Sequence, residues 1–391
     1  MRFQTLAIHT GHTRQGSAVT ATPLVDRSTS WAFDTMAELD VVFEGVAPGY
    51  FYGRDGMPNA ALLEEALTVL EGGRGSLVYA TGMAALAGVL AVAGSGRRVL
   101  ATPDLYGRTY ALLQTWLPES GAEVRFIPSQ DHVAMAEALH SWQPHLLVVE
   151  TLSNPLVKVS DLTWLIAQAQ SVGCKVLVDN TFASPYICRP AALGADYTIE
   201  SLTKYINGHG DVLGGSITVL DPDERLRLAK HRAAFGATLD PQPAWLALRG
   251  LRTLGLRMHQ HAANALALAT FLASLPAVDR VYYPGLATDT YHDLATRLFS
   301  DRGYGGMLAF DLAAATQQRA WQVMDRLQLA LRAPTLGDVA TLVAHPARAS
   351  HRSLSPQQRA AIGVGDGLIR VSVGIEDSED ILDDFDQALA S

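Results

Sequence analysis

Between about residues 60 and 220 the chain alternates short apolar runs with amphipathic stretches. The runs at 76–79, 99–101, 124–127, 146–149 and 176–178 lack a strict apolar/polar alternation, which predicts strands covered on both faces. Residues 60–70 predict a helix with Asn59 as cap and Gly72-Gly73 as stop, and residues 81–92 predict a second helix built of small side chains. Strands alternating with helices in this way predict an α/β fold, a doubly wound, mostly parallel sheet.

The pattern then changes. A long helical region at 243–275, broken or bent near Gly250 and Gly255, leads into a strand at 305–312, a helix at 318–329, a strand at 368–374 and a helix at 378–390. This predicts a smaller α+β domain. The expected division is an N-terminal arm over residues 1–55 that contacts a neighbouring subunit, a large domain over 56–250 and a small C-terminal domain over 251–391; the poorly periodic first fifty residues would equally suit a surface loop.

Composition narrows the function. Hydrophobic residues make up 48% of the 391 and charged ones 18%, enough for a sizeable folded interior. A net charge of -9, with no basic patch, argues against a nucleic-acid surface; the densest cationic stretch, residues 225–232, reads as the solvated face of a helix. No apolar run reaches the ~18 residues of a membrane span, and the start lacks a secretion signal, so no membrane partner and a cytoplasmic location are expected. The two cysteines, Cys174 and Cys188, read as core fillers.

The candidate chemistry centres on Lys204, which follows Asp179 by 25 residues (204 minus 179), Asp179 itself ending the apolar run 175–179. A lysine among hydroxyls and glycines, downstream of a carboxylate at a strand end, suits pyridoxal 5'-phosphate. The amine forms a Schiff base with the aldehyde, and the carboxylate keeps the pyridine nitrogen protonated. The helix start at Gly82 and Met83 offers unpaired amides for a phosphate, and Ser201 and Thr203 offer hydroxyls. Tyr52 and Arg54 pair a phenol with a guanidinium, as a dianion requires. Tyr106 could stack on a flat ring, and Asn154 follows another strand end, where ligands of open α/β sheets gather. The Gly208–Gly214 run lacks dinucleotide-loop spacing, and His259 and His261 lie two apart on a helix, facing different ways, so neither a nicotinamide site nor a metal is expected.

These residues resemble the transsulfuration, or Cys/Met metabolism, family of pyridoxal phosphate enzymes along essentially the whole chain. The likeness lies in Tyr52-x-Arg54, Thr81-Gly82-Met83, Asp104-x-Tyr106-Gly107, the run Glu150 to Pro155, Val178-Asp179-Asn180-Thr181, Ser201-x-Thr203-Lys204, Leu336-Gly337-Asp338, His345-Pro346-Ala347 and the run Arg370 to Glu376. The segments around Tyr205–Gly215, Leu248–Met258 and Val281–Gly285 are most similar to methionine γ-lyases, with cystathionine γ-lyases close behind.

The resemblance implies fold type I, with the following roles. Lys204 carries the cofactor and moves the α proton. Tyr106 stacks on the ring and protonates the leaving sulfur, and Asp179 pairs with the pyridine nitrogen. Gly82, Met83, Ser201 and Thr203 hold the phosphate, joined by Tyr52 and Arg54 from the neighbouring subunit. Arg370, helped by Asn154 and Thr335, grips the substrate carboxylate. The implied assembly is a homo-oligomer, a tetramer built from dimers with shared sites. The expected reaction is α,γ-elimination of a sulfur amino acid such as L-methionine to a thiol, 2-oxobutanoate and ammonia. Cystathionine γ- or β-elimination and γ-replacement remain alternatives, and a non-catalytic cofactor-binding homologue is a remote one.

Three positions depart from the family pattern and bear on substrate choice. Arg108 stands where methionine γ-lyases carry cysteine, Pro334-Thr335 where cystathionine-handling members often place glutamate before Ser-Leu-Gly, and Met57-Pro58-Asn59 where Asn-Pro-Thr is usual. Arg108 reads as an attractor of an acidic substrate group or as a surface charge.

Overall fold

Residues 146–150, Leu-Leu-Val-Val-Glu, explain the main sheet in miniature. Leu146 and Val148 enter one apolar cluster while Leu147 and Val149 enter another, so the strand is buried on both faces and needs no polar alternation. The computed structural model describes residues 1–15, 18–313, 315–352 and 354–390.

A short hairpin pairs β1 (Arg14–Gln15) with β2 (Ala18–Val19). The main sheet is built from β3 (Gly75–Tyr79), β4 (Arg98–Ala101), β5 (Glu123–Phe126), β6 (Leu146–Glu150), β7 (Lys175–Asp179), β8 (Tyr197–Glu200) and β9 (Gly215–Val219). Its order is β3-β9-β8-β7-β6-β4-β5, and only β9 runs against the rest. The fold is therefore α/β with a mostly parallel sheet, and the carboxyl ends of β3, β4, β6, β7 and β8 share one edge.

The second sheet comprises β10 (Val278–Tyr282), β11 (Met307–Leu312), β12 (Leu331–Arg332), β13 (Leu342–Ala344) and β14 (Leu368–Ser372), in the order β10-β11-β14-β13-β12. Its core takes Val323 from the Gln317–Arg326 helix and Ile381 and Phe385 from the Ser378–Leu389 helix. The Leu254–Ser274 helix serves both cores: Leu254 and Met258 pack with the main sheet, Ala265 to Leu272 with the second.

Several details differ from the sequence pattern. The first long helix starts earlier, at Pro58, whose missing N–H costs nothing in the first turn. Asn59 thus lies inside the helix and does not cap it: its amide donates to Leu24 O and its Oδ1 accepts from Asp26 N, tying down the N-terminal segment. The stop at Gly72 holds, with φ 74°. The second helix runs Gly82–Val89 and widens into a π turn at Leu90–Gly94. The long helical region is two helices, Pro241–Leu251 and Leu254–Ser274. Strands β8 and β9 were not legible because they bury polar side chains, Thr198, Glu200, Ser216 and Thr218. The cationic stretch 225–232 is a solvated face only in part, at the exposed Arg227 and Lys230. Arg232 is buried on Glu64 at 2.7 Å and Arg225 reaches the same carboxylate at 3.1 Å.

Candidate active site

Parallel strands deliver their carboxyl ends to one edge of the sheet, and a cavity of about 400 Å³ lies there. Its lining draws on the turn after nearly every one of these strands: Gly82 and Met83 after β3, Tyr106 after β4, Asn154 after β6, Asp179 at the end of β7, and Ser201, Thr203 and Lys204 after β8. The second sheet contributes Arg370 from β14.

Lys204 sits in a π turn, Leu202–Ile206, and its own backbone is non-helical (φ -98°, ψ -135°). Two features hold that turn. Gly337, at φ 78°, approaches so closely that a Cβ there would lie 2.6 Å from Tyr205 N. The buried Arg257 guanidinium donates to the carbonyls of Tyr205 (2.7 Å), Ile206 (3.2 Å) and Gly250 (2.8 Å). The Lys204 amine donates to Thr335 Oγ1 at 2.6 Å. Burial, reinforced by the Arg370 charge, pulls the amine down to about 8, so about a tenth of it is neutral at pH 7, far more than for a free lysine.

Arg370 is 4% exposed and sits between Ala309 and Ala344 of the adjacent strands, small neighbours that leave room for its guanidinium. Nη1 donates to Asn154 Oδ1 at 3.2 Å and Nη2 to Thr335 O at 3.0 Å, both neutral acceptors. Nε is buried without a partner among the described residues. A buried cation with neutral partners and a free donor is set up for an anion.

The opposite requirement appears at Asp179. Its Oδ1 accepts from Thr181 N at 3.0 Å, and burial pushes the carboxyl up from its ordinary range. A cationic ring nitrogen would relieve that cost. At the other end of the cavity, Thr81 caps the Gly82–Val89 helix by accepting from Ala84 N (3.0 Å), which leaves the first amides, Gly82 and Met83, without intrahelical partners. Gly82 lets the chain approach closely there: a Cβ would sit 3.2 Å from Ser201 Cβ, and Ser201 would have to give by a few tenths of an ångström. The Thr203 hydroxyl is exchanged with Gly214, accepting from its N at 3.1 Å. An anion cradle, a buried carboxylate and a partly neutral lysine in one cavity fit a pyridoxal phosphate: Gly82 and Met83 could hold its phosphate, Asp179 its pyridine nitrogen and Lys204 its aldehyde.

Two of the residues expected from the sequence lie elsewhere in this chain. Tyr52 is 46% exposed and Arg54 stacks on it at 5.2 Å, and neither lines the cavity. Thr335 reaches the site through its bonds to Lys204 and Arg370. One lining residue had a place in a sequence motif but no expected role. Glu150, buried beside Asp179 in register, accepts from Tyr106 N at 2.6 Å. Burial and the Asp179 charge hold its carboxyl well above the usual range, against the pull of the backbone amides it accepts from.

The model of the family described as "Cys/Met metabolism PLP-dependent enzyme" matches residues 4–390. The chain belongs to this family. It is 38% identical to the L-methionine gamma-lyase of Pseudomonas putida over 99% of this chain and 97% of that one. It is 39% identical to the cystathionine gamma-lyase of Bacillus subtilis strain 168 over 88% and 90%. A solved cystathionine gamma synthase from Xanthomonas oryzae pv. oryzae, in complex with aminoacrylate and cysteine, covers 98% of its own chain and all of this one at TM-score 0.93 and 37% identity. The protein is thus a pyridoxal-phosphate-dependent enzyme of fold type I that acts in carbon–sulfur lyase or replacement chemistry. Among the described residues, no helix is long and apolar enough to cross a membrane.

Proposed function

We propose that the chain catalyses α,γ-elimination of a sulfur amino acid, L-methionine or a close relative, to a thiol, 2-oxobutanoate and ammonia. The observation that carries this reading is the pairing of Lys204 and Arg370 in one cavity, bridged by Thr335. Arg370 binds the substrate carboxylate through the donors that the protein leaves available, with Asn154 fixing the guanidinium plane. That anchor presents the α carbon to the Lys204 amine. The bound cofactor supplies an electron sink that makes the α proton acidic.

Lys204, with a pKa near its working pH, takes the α proton and serves the β carbon in turn. Tyr106, half-exposed at the mouth and held through its backbone by Glu150, gives a proton to the departing sulfur. Asp179 keeps the pyridine nitrogen charged, and Gly82, Met83, Ser201 and Thr203 orient the phosphate. Tyr52 and Arg54 complete the phosphate site of a second copy, which explains their exposure here and makes the working form a dimer or a tetramer of dimers.

One observation favours a second reading of substrate. Arg108 lines the cavity mouth, exposed. A γ-substituent that ends in a carboxylate, as in cystathionine or a succinylated homoserine, would meet it, and such substrates also suit γ-replacement. Incubating the protein with L-methionine, L-homocysteine and cystathionine, and assaying oxo acid and thiol, tests the elimination. Oxo acid from none of the three rejects it; product from O-acylhomoserine plus sulfide alone selects replacement.

A further inference from the structure

Beside the cavity, a second acidic site lies in the core between the main sheet and the Pro58–Glu71 helix. Glu71 closes that helix and Glu200 closes β8, and each is 1% exposed. No N–H or hydroxyl among the described residues donates to either Glu71 oxygen, and the group it meets is the Glu200 carboxyl. Two carboxylates in contact in a dry interior cannot both ionise, whereas an acid and a carboxylate make a strong O–H···O bond. The surroundings agree. Arg189 is the cation that acts on Glu71, Asp179 adds negative charge at Glu200, and the neighbouring Cys188 thiol is held neutral by burial and by both acids.

The pair connects to the cofactor side through Asn180. Asn180 Nδ2 donates to Glu200 Oε1 at 2.8 Å and to Cys188 O at 2.9 Å, and its Oδ1 accepts from the Thr151 hydroxyl at 2.7 Å. The next residue back is Asp179. We propose that Glu71 and Glu200 share one buried proton and that, through Asn180, the proton-sharing pair is a positioning element for the Asp179 carboxylate. The positioning half rests on Asp179 facing the pyridine nitrogen; the shared proton does not.

The shared proton has a pH signature. Burial holds the Glu71 carboxyl up to about 8 in the folded chain, against ~4.3 unfolded. A raised folded pKa gives stability that is full below the unfolded value and is lost as pH rises to the folded one. Thermal unfolding of the full chain without cofactor, from about pH 5 to about pH 9, should therefore fall more steeply for the wild type than for Glu71→Gln, by roughly 4 °C or more. The amide still bonds Glu200 and removes one of the two titrating carboxyls. Equal slopes overturn the shared proton. In the infrared, the wild type at neutral pH should carry a protonated-carboxyl stretch that Glu71→Gln shifts or loses, because the acid's partner changes from a carboxyl to an amide, and its absence from the wild type has the same force.

The positioning half is read from the dissociation constant of pyridoxal phosphate. Glu200→Ala frees Asn180 and should weaken binding about tenfold, while Glu200→Gln restores it to within about twofold. Unchanged affinity in Glu200→Ala, or equal loss in both variants, overturns positioning. A wild type that binds no cofactor instead overturns the site assignment, and leaves the unfolding slopes to decide on the proton. Should Glu200→Ala not fold, Asn180→Ala takes its place with the same expectation.

Discussion

Lys204 Nζ donates to Thr335 Oγ1 at 2.6 Å, and the carbonyl of the same threonine accepts from Arg370 Nη2 at 3.0 Å. One residue therefore sets the separation between the amine that moves protons and the cation that anchors substrate. Thr335→Val keeps the carbonyl and deletes the hydroxyl. We expect kcat to fall about tenfold with KM changed little, and Thr335→Ser to recover most of it, as steady-state kinetics on the three proteins would reveal. A rise in KM alone would place Thr335 in substrate binding only.

The lysine also titrates in an accessible range. With the amine held near 8 by burial and by the Arg370 charge, only the neutral form attacks the cofactor aldehyde. The rate at which cofactor-free protein takes up pyridoxal phosphate should rise about tenfold per pH unit below that value and level off above it. Arg370→Met removes a neighbouring cation, so the midpoint moves upward. Stopped-flow absorbance gives both profiles; a rate still climbing beyond pH ~9.5 in the wild type contradicts the assignment.

Glu150 acts on Tyr106 through the backbone bond of 2.6 Å. Glu150→Gln retains an acceptor and should stay within about threefold of wild-type kcat/KM, whereas Glu150→Ala leaves an amide unpaired. That costs about 1 to 3 kcal/mol and loosens the ring over the cavity, for a loss of at least tenfold. Equal activity in all three proteins would remove Glu150 from the account.

Arg257 is a structural counterpart. Burial pulls its guanidinium down to about 10, yet it remains charged and serves three carbonyls around the lysine turn. Arg257→Met strands those acceptors and should destabilise the protein by about 3 to 5 kcal/mol. Denaturant unfolding measures it, and a loss under about 1 kcal/mol would mean that the turn is held by Gly337 alone.

The cofactor side of the site was legible in the sequence because each part stands at a strand end and carries its own chemical signature: a lysine among hydroxyls, an aspartate closing an apolar run, a small-residue helix start. What the sequence concealed depends on partners far along the chain. Arg225 and Arg232 look solvated until Glu64, 161 and 168 residues away, is brought beneath them. Strand β8 hides because Thr198 and Glu200 are polar and buried, and Glu200 is buried only because Glu71 and Asn180 meet it. Glu150 was visible within its motif, yet its hold on Tyr106 belongs to the β4–β6 pairing that sets the two loops side by side.

Arg108 decides the substrate question most cheaply. If it meets a distal carboxylate, Arg108→Ala should raise KM for cystathionine about tenfold and leave that for L-methionine within about twofold. Parallel changes for both substrates would make it a surface charge.

The central claim is that the Lys204 amine is the group that holds pyridoxal phosphate. Borohydride reduction of the purified protein, followed by digestion and peptide mass mapping, tests it directly. One pyridoxyl phosphate adduct is expected, on the peptide containing Lys204, and none in Lys204→Ala; an adduct on another lysine, or no adduct in a protein saturated with cofactor, would contradict that role for Lys204.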